Sequence, residues 1–205
     1  MKVFKKFSSE AIKILKSGGI GVIPTDTIYG IVCSALSKKA VDKVYRLRKR
    51  SLDKPVIVLI GSPRDLKKFS ITLNAISYKL LTRLWPGPIS VILKLSDKRQ
   101  ETRDKFKYLH RGKKAIAFRV PVAPTLRRFL NKTGPLIAPS ANFEGRQPAK
   151  TIKEAQKSFG DRVDFYIDGG KLKSKPSTVV SINDGKVSVI RKGISDSKII
   201  NVSVR

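Results

Sequence analysis

Short apolar runs rich in β-branched residues alternate with helical patterns along most of this sequence. The apolar runs, which are typical of buried strands, lie at 20–23, 55–60, 89–95, 115–120 and 135–138. Apolar residues at helical spacing lie at 9–17, 38–50, 73–84, 123–131 and 151–159. Three further apparent strands follow at 162–168, 177–182 and 186–191. This order predicts a single mixed α/β domain over residues 1–205, without internal repeats or linkers.

Local signals define several boundaries. Ser37 is expected to cap one helix, Ser62-Pro63 to begin a short one, and Thr151 with Glu154 to form a capping box. Asn183-Asp184-Gly185 predicts the turn between the last two strands. The polar segment between 95 and 115 shows no periodicity and is expected to be a loop.

Composition excludes several classes of protein. At 205 residues and 40% hydrophobic content, the chain can bury a core. It lacks the roughly 18-residue apolar run of a membrane span and does not begin like a secretory signal. Cys33 and His110 are the single cysteine and histidine, which argues against a disulfide or a zinc site and fits a cytoplasmic setting.

The net charge of +29 indicates attraction to polyanions such as nucleotides or RNA. A basic proteome with solvated lysines explains the same number equally well, because the lysines are spread along the chain. Charge alone therefore leaves the partner open.

Three loops combine small polar residues with proline or glycine after apolar runs: PTDTIYG (24–30), APSANFEGRQP (138–148) and DGGKLKSKPST (168–178). Such loops at strand ends are how an open α/β sheet builds a ligand crevice, although any one of them is more simply an ordinary turn. In the first, Pro24 is expected to end a strand and Gly30 to permit a sharp return.

No P-loop is present, so bound phosphates would need cationic side chains. Arg48 and Arg50 lie where a predicted helix ends, and in an extended segment their side chains would point the same way. Arg119 lies in an apolar strand and therefore needs an acidic partner or a ligand phosphate. His110, in a polar loop, is expected to be solvated rather than catalytic.

Seven motifs occur in the order PTDTIYGI (24–31), LRKRSLDKP (47–55), WPGPIS (85–90), FRVP (118–121), APSANFEG (138–145), PSTVV (176–180) and IRKG (190–193). Together they resemble the YrdC/TsaC family of threonylcarbamoyl-AMP synthases, over roughly residues 10–195. The resemblance implies a twisted, open mixed sheet with flanking helices and a basic concave face, in the short form without the additional C-terminal domain.

The resemblance implies that L-threonine, bicarbonate and ATP give threonylcarbamoyl-AMP and pyrophosphate. It makes Arg48 and Arg50 catalytic and implies the ATP-binding set Arg48, Arg50, Lys54, Arg119, Ser140, Asn142 and Arg191. Two positions depart from the family pattern: Arg48 replaces a lysine, and Glu144 replaces a serine.

For L-threonine, the resemblance implies Thr25, Thr27, Tyr29, Ser177 and Thr178, with Thr27 foremost. Asp26 is expected to orient the backbone or basic neighbours rather than to act as a base. Mg²⁺ is expected with ATP, although no carboxylate cluster is visible.

The product would supply a downstream threonylcarbamoyl transferase complex that modifies the adenosine next to the anticodon of ANN-decoding tRNAs. The alternative is a module that binds tRNA or double-stranded RNA through its basic face without catalysis. No membrane association is expected.

Overall fold

The computed structural model describes residues 1–95, 100–183 and 186–195. In this part of the chain the strands are β1 (Lys2–Phe4), β2 (Gly21–Pro24), β3 (Tyr29–Ser34), β4 (Ile57–Leu59), β5 (Ile89–Lys94), β6 (Ala115–Arg119), β7 (Leu136–Ile137), β8 (Phe165–Ile167), β9 (Thr178–Asn183) and β10 (Lys186–Arg191). The α-helices are α1 (Ser9–Lys16), α2 (Lys38–Leu47), α3 (Ala75–Leu84), α4 (Gln100–Lys105), α5 (Lys107–His110), α6 (Pro124–Thr133) and α7 (Ile152–Phe159). Two 3₁₀ helices span Pro63–Phe69 and Gly160–Arg162.

The strands form one mixed sheet in the order β1-β8-β2-β3-β7-β4-β6-β5-β9-β10. β4 and β6 are parallel, as are β5 and β9, whereas β6 and β5 are antiparallel. The first strand, β1, and the last, β10, therefore lie at opposite edges of the sheet. The middle of the sheet is built from strands that are distant in sequence. The mixed α/β class and the flanked mixed sheet are confirmed.

The two faces of the sheet are covered differently. One face packs against α2, α3, α5 and α7 in a core that includes Val44, Leu81, Phe118 and Phe159. The opposite face has a smaller core, in which Leu15 of α1 and Phe129 of α6 pack over Val32, Leu59 and Phe165. The residues of this smaller core come from strands between β8 and β4 in the sheet order, so among the described residues the half of that face at β6, β5 and β9 remains open.

Most elements lie where the sequence predicts them, because their caps form. The Ser37 hydroxyl accepts a hydrogen bond from Ala40 N at the start of α2, and Thr151 caps α7 through Glu154 N. The capping box at α7 is only half formed, since the Glu154 carboxylate accepts from Lys150 N rather than returning to Thr151. The predicted Asn183-Asp184-Gly185 turn extends outside the described residues.

Three expectations are wrong. PTDTIYG is not one turn: β3 begins at Tyr29, and Gly30 lies in that strand opposite Ile23 rather than at a positive-φ return. The segment before β6 contains α4 and α5 instead of only a loop. His110 is 4% exposed rather than solvated. Its Nδ1 accepts hydrogen bonds from Gly112 N and Lys114 N, so the His110 ring stabilises a tight turn.

Within the described residues, no helix is both long and apolar enough to cross a bilayer.

Candidate active site

A cleft of about 310 Å³ lies on the open half of the sheet face. Its floor is a row of three cross-strand neighbours: Ile57 of β4 pairs with Ala117 of β6, which pairs with Ile92 of β5. Side chains alternate along a strand, so Ala117 faces the cleft while Ile116 and Phe118 enter the core behind it. Apolar side chains on the floor, with alanine at its centre, leave room for a ligand.

Four arginines line this cleft: Arg48, Arg50, Arg119 and Arg191. They come from the end of α2, from the last residue of β6 and from the last residue of β10. No acidic side chain is among the described residues that line the cleft. A guanidinium presents a planar fork that matches phosphate oxygens, so the cleft is suited to a polyanionic ligand.

Arg48 and Arg50 reach the same cleft because the chain reverses between them. Lys49 is left-handed, with φ of 51°. Arg50 N bonds to Tyr45 O at 2.9 Å and Lys49 N to Arg46 O at 3.0 Å, which together form a Schellman motif at the end of α2. The expectation of an extended segment here is wrong, although both side chains do face one site.

Arg48 is 2% exposed and is held by the loop after β7. Its Nε donates to Asn142 O at 2.9 Å, and one terminal nitrogen contacts Ser140 Oγ at 3.3 Å and Asn142 Oδ1 at 3.4 Å. The other terminal nitrogen is buried without a hydrogen-bond partner among the described residues. The guanidinium is thus fixed in place while one of its donors remains available.

Arg119 and the loop between β2 and β3 hold one another. The Arg119 guanidinium, in a residue that is 4% exposed, lies 3.3 Å from Asp26 Oδ1 and donates to Thr27 Oγ1 at 3.2 Å. The contact between a terminal nitrogen of Arg119 and Asp26 Oδ1 is an ion pair without hydrogen-bond alignment, because Asp26 Oδ1 lacks a hydrogen-bond partner in the described part of the chain. Arg119 Nε has no hydrogen-bond partner there either. Asp26 Oδ2 accepts from Val122 N, which confirms that Asp26 orients basic and backbone groups.

Two threonine hydroxyls form one wall. Thr25 Oγ1 lies 3.0 Å from Thr27 Oγ1, donates to Ile28 O and accepts from the backbone nitrogens of residues 27 and 28. Both threonines line the cleft next to Arg119. This loop therefore places two hydroxyls beside a fixed cation, an arrangement that can bind a small polar ligand with a carboxylate.

The opposite wall comes from the edge of the sheet. Arg191 follows an irregularity in the pairing of β10 with β9, and such a bulge redirects a side chain. Its guanidinium donates to Ser177 O at 2.8 Å, and Ser177 Oγ contacts Ser90 Oγ at 2.9 Å. Gly193 packs so closely on this segment that a Cβ there would lie 2.5 Å from the backbone of Ser177.

Burial and repulsion from neighbouring cations lower the pKa of three cleft arginines, Arg48, Arg119 and Arg191. Burial, followed by repulsion from Arg50, lowers the pKa of Arg48 to about 10. Burial also lowers the pKa of Arg119, with Asp26 opposing the shift, and burial and Arg50 lower that of Arg191. An anion in the cleft would relieve this cost, so the cleft is electrostatically suited to one.

The structure brings together eight of the twelve site residues predicted from the sequence. Those lining the cleft are Thr25, Thr27, Arg48, Arg50, Arg119, Ser140, Ser177 and Arg191. The four others do not line it. Lys54 pairs with Glu144, Asn142 holds Arg48, the Tyr29 hydroxyl donates to Gly170 O, and the Thr178 hydroxyl accepts from Ser195 N. The apolar floor was not predicted, although the alternation of Ala117 with Phe118 before Arg119 could have indicated it.

Comparison with known proteins places this chain in a family. The model of the Sua5/YciO/YrdC domain, described as "Telomere recombination", matches residues 13–193. The chain belongs to the Sua5/YciO/YrdC family. This family accounts for the order of the seven motifs, and three of the motifs contribute the four cleft arginines.

Two relatives and one solved structure illustrate the likeness. A putative threonylcarbamoyl-AMP synthase of Methanocaldococcus jannaschii is 33% identical, over 95% of this chain and 92% of that protein. The threonylcarbamoyl-AMP synthase of Marinobacter nauticus is 31% identical, over 83% and 88%. A double variant of P. abyssi Sua5 matches with a TM-score of 0.79 and 25% identity, over 90% of this chain and 55% of that longer one.

Proposed function

We propose that this protein is an L-threonylcarbamoyladenylate synthase, a nucleotidyltransferase that uses L-threonine, bicarbonate and ATP. The observation that carries the proposal is the cleft itself, in which four arginines surround an apolar floor beside two threonine hydroxyls. Relatives bearing the name threonylcarbamoyl-AMP synthase support the same conclusion.

The chemistry requires alignment and charge neutralisation more than acid–base catalysis. Threonine and bicarbonate form a carbamate with loss of water, and a carbamate oxygen then attacks the α-phosphorus of ATP. The α–β phosphoanhydride bond breaks and pyrophosphate leaves with the bonding electrons. Arg48 and Arg50, the proposed catalytic residues, stabilise this charge because donors already held by hydrogen bonds need little reorganisation during the reaction.

We assign the ATP phosphates to Arg48, Arg50, Arg119 and Arg191, together with the Ser140 hydroxyl. Lys54 and Asn142 were predicted to bind ATP directly, and their positions fit a supporting role instead. Asn142 holds Arg48, and Lys54 is paired with an acidic side chain.

We assign L-threonine to Thr25 and Thr27 on one wall and to Ser177 on the opposite wall, with Thr27 as the main contact. Tyr29 and Thr178 do not line the cleft and instead hold neighbouring backbone. The Tyr29 hydroxyl bridges Gly169 N and Gly170 O, and the Thr178 hydroxyl holds the chain after β10. Arg119 then lies between the two halves of the cleft, where it can contact both a carboxylate and a phosphate.

Mg²⁺ has no protein site of its own in the described part of the chain, where no group of three or more histidine, cysteine or acidic side chains could hold a metal. Magnesium carried on ATP phosphates needs no such group. No catalytic step is therefore assigned to a protein-bound metal.

We further propose that the adenylate is passed to a threonylcarbamoyl transferase complex that acts on tRNA. The net charge of +29 fits a partner of this kind, and it fits direct RNA binding equally well.

The decisive experiment measures pyrophosphate release from ATP with purified protein. Release should require both L-threonine and bicarbonate, and it should stop when threonine is omitted. Threonylcarbamoyl-AMP should appear in equal amount by mass spectrometry. Absence of pyrophosphate from protein that still binds RNA at low salt would instead favour the RNA-binding module.

A further inference from the structure

Glu144 does not line the cleft, yet both of its carboxylate oxygens hold the segment that carries Arg50. Oε2 accepts a hydrogen bond from Ser51 N at 2.6 Å, and Oε1 pairs with Lys54 Nζ. The Glu144 backbone nitrogen also donates to Arg48 O at 3.0 Å. One acidic residue thus fastens the end of α2 and the turn that follows it to the loop after β7.

The turn at residues 51–54 and the residue after it fix the direction of the Arg50 side chain. Arg50 Nε donates to Lys54 O at 3.4 Å, and a terminal nitrogen donates to Pro55 O at 2.8 Å. The Tyr45 hydroxyl donates to the same Lys54 carbonyl at 2.7 Å. The guanidinium of Arg50 is therefore aimed by two carbonyls. Tyr45 holds the Lys54 carbonyl directly, and the Glu144 contacts hold Ser51 N and the Lys54 side chain of the same turn.

We propose that Glu144 is a positioning residue that aims Arg50 into the cleft, an inference that rests on the proposed ATP-dependent function. Glu144 replaces a serine of the family motif. By binding both ends of the 51–54 turn it supplies a tie between segments that are about ninety positions apart in sequence. Its charge is offset locally by Lys54, so a carboxylate is accommodated close to an anion site.

A simpler role for Glu144 predicts the opposite result. If it were only a surface carboxylate near the phosphates, its removal would relieve repulsion, free Lys54 and tighten ATP binding. If it positions Arg50, removal lets the turn relax, and ATP binding weakens. The sign of the change separates the two roles.

The test is ATP binding by calorimetry to wild-type protein and to Glu144→Ala, with melting curves to confirm that each is folded. We expect about a tenfold weaker ATP affinity, the scale of one charge-assisted hydrogen bond. The matched control is Glu154→Ala, which also removes a carboxylate that accepts a backbone N–H, here from Lys150 at 2.8 Å, but outside the cleft lining. It should leave ATP affinity unchanged.

A second variant guards against a purely structural effect. Tyr45→Phe keeps the buried ring but removes the other hydrogen bond to Lys54 O, and it should weaken ATP in the same direction. Both variants should raise the KM for ATP and leave the KM for threonine unchanged, whereas a general loss of fold would change both. Glu144→Gln, which keeps an acceptor for Ser51 N, should recover part of the affinity.

The outcomes separate this inference from the proposed function. Wild-type protein that neither binds ATP nor releases pyrophosphate would overturn the function and the inference with it. Wild-type protein that binds ATP, with unchanged or tighter binding by Glu144→Ala and Tyr45→Phe, would overturn the positioning role alone.

Discussion

Replacing Arg50 with alanine should separate the ligand-binding role of the cleft from its contribution to folding. The substitution removes a guanidinium that lines the cleft and donates to the carbonyls of Lys54 and Pro55. It also removes a positive charge that lowers the pKa of two neighbouring cleft arginines, Arg48 and Arg191. The two effects on stability have opposite signs.

The magnitudes follow from these contacts. Losing two partly exposed hydrogen bonds costs on the order of 1 kcal/mol, and relief of repulsion on Arg48 and Arg191 acts in the opposite direction. The free energy of unfolding should therefore change by no more than about 1 kcal/mol. Losing one charge-assisted contact to phosphate should weaken ATP roughly 10- to 100-fold, and turnover should fall by at least about a hundredfold.

The assay combines urea unfolding, the shift in melting temperature on adding ATP, and threonine-dependent pyrophosphate release. Arg46→Ala is the matched control, because Arg46 is an exposed arginine of α2, four residues before Arg50, that does not line the cleft. Near-normal turnover in Arg50→Ala would refute the phosphate assignment. A stability loss of several kcal/mol would refute the electrostatic argument.

Three further predictions concern other parts of the molecule. Asp26→Asn leaves the buried Arg119 cation unpaired and should lower the free energy of unfolding in urea by about 3 kcal/mol; no loss would contradict the pairing. Gly193→Ala forces the Ser177 backbone to move and should raise the KM for threonine, measured by pyrophosphate release. An unchanged KM would contradict the assignment of Ser177 to the threonine site. Burial raises the pKa of Tyr166 to about 12, so stability should fall as pH rises from about 10 to 12, and less so in Tyr166→Phe.

Element types were largely predictable because caps and periodicity are local. Ser37 begins α2 as expected, since its hydroxyl needs only the backbone three residues on. Tyr29 shows where this logic fails. A β-hairpin continues through PTDTIYG because Pro24 pairs with Tyr29, and that pairing is not visible in local composition.

The arginines of the site were predictable, whereas their supports were not. Arg119 was expected to have a partner because burying an isolated charge is costly, and Asp26 is that partner. The direction of the Arg50 side chain depends on the left-handed backbone conformation of Lys49. Residues other than glycine rarely adopt this conformation, and here the hydrogen bonds of the Schellman motif stabilise it. Lys54 was predicted as a phosphate ligand, and only the three-dimensional structure shows that Glu144 engages it.

His110 illustrates the same limit. A histidine in a polar, lysine-rich segment was expected to be solvated, yet its ring closes a turn by accepting from two backbone nitrogens. Burial of this kind depends on α5 packing beside β6, which is a tertiary effect.

The cleft arginines come from positions 48 to 191, so about 140 residues must be arranged before the site exists. The sheet also places β7 between β3 and β4, and β9 beside β5, so the site depends on distant strand pairings. Ligand binding and global folding are therefore linked: ATP should protect amides throughout the central sheet from hydrogen exchange, rather than near one loop alone. By the same logic, no short fragment of this chain should retain ATP affinity.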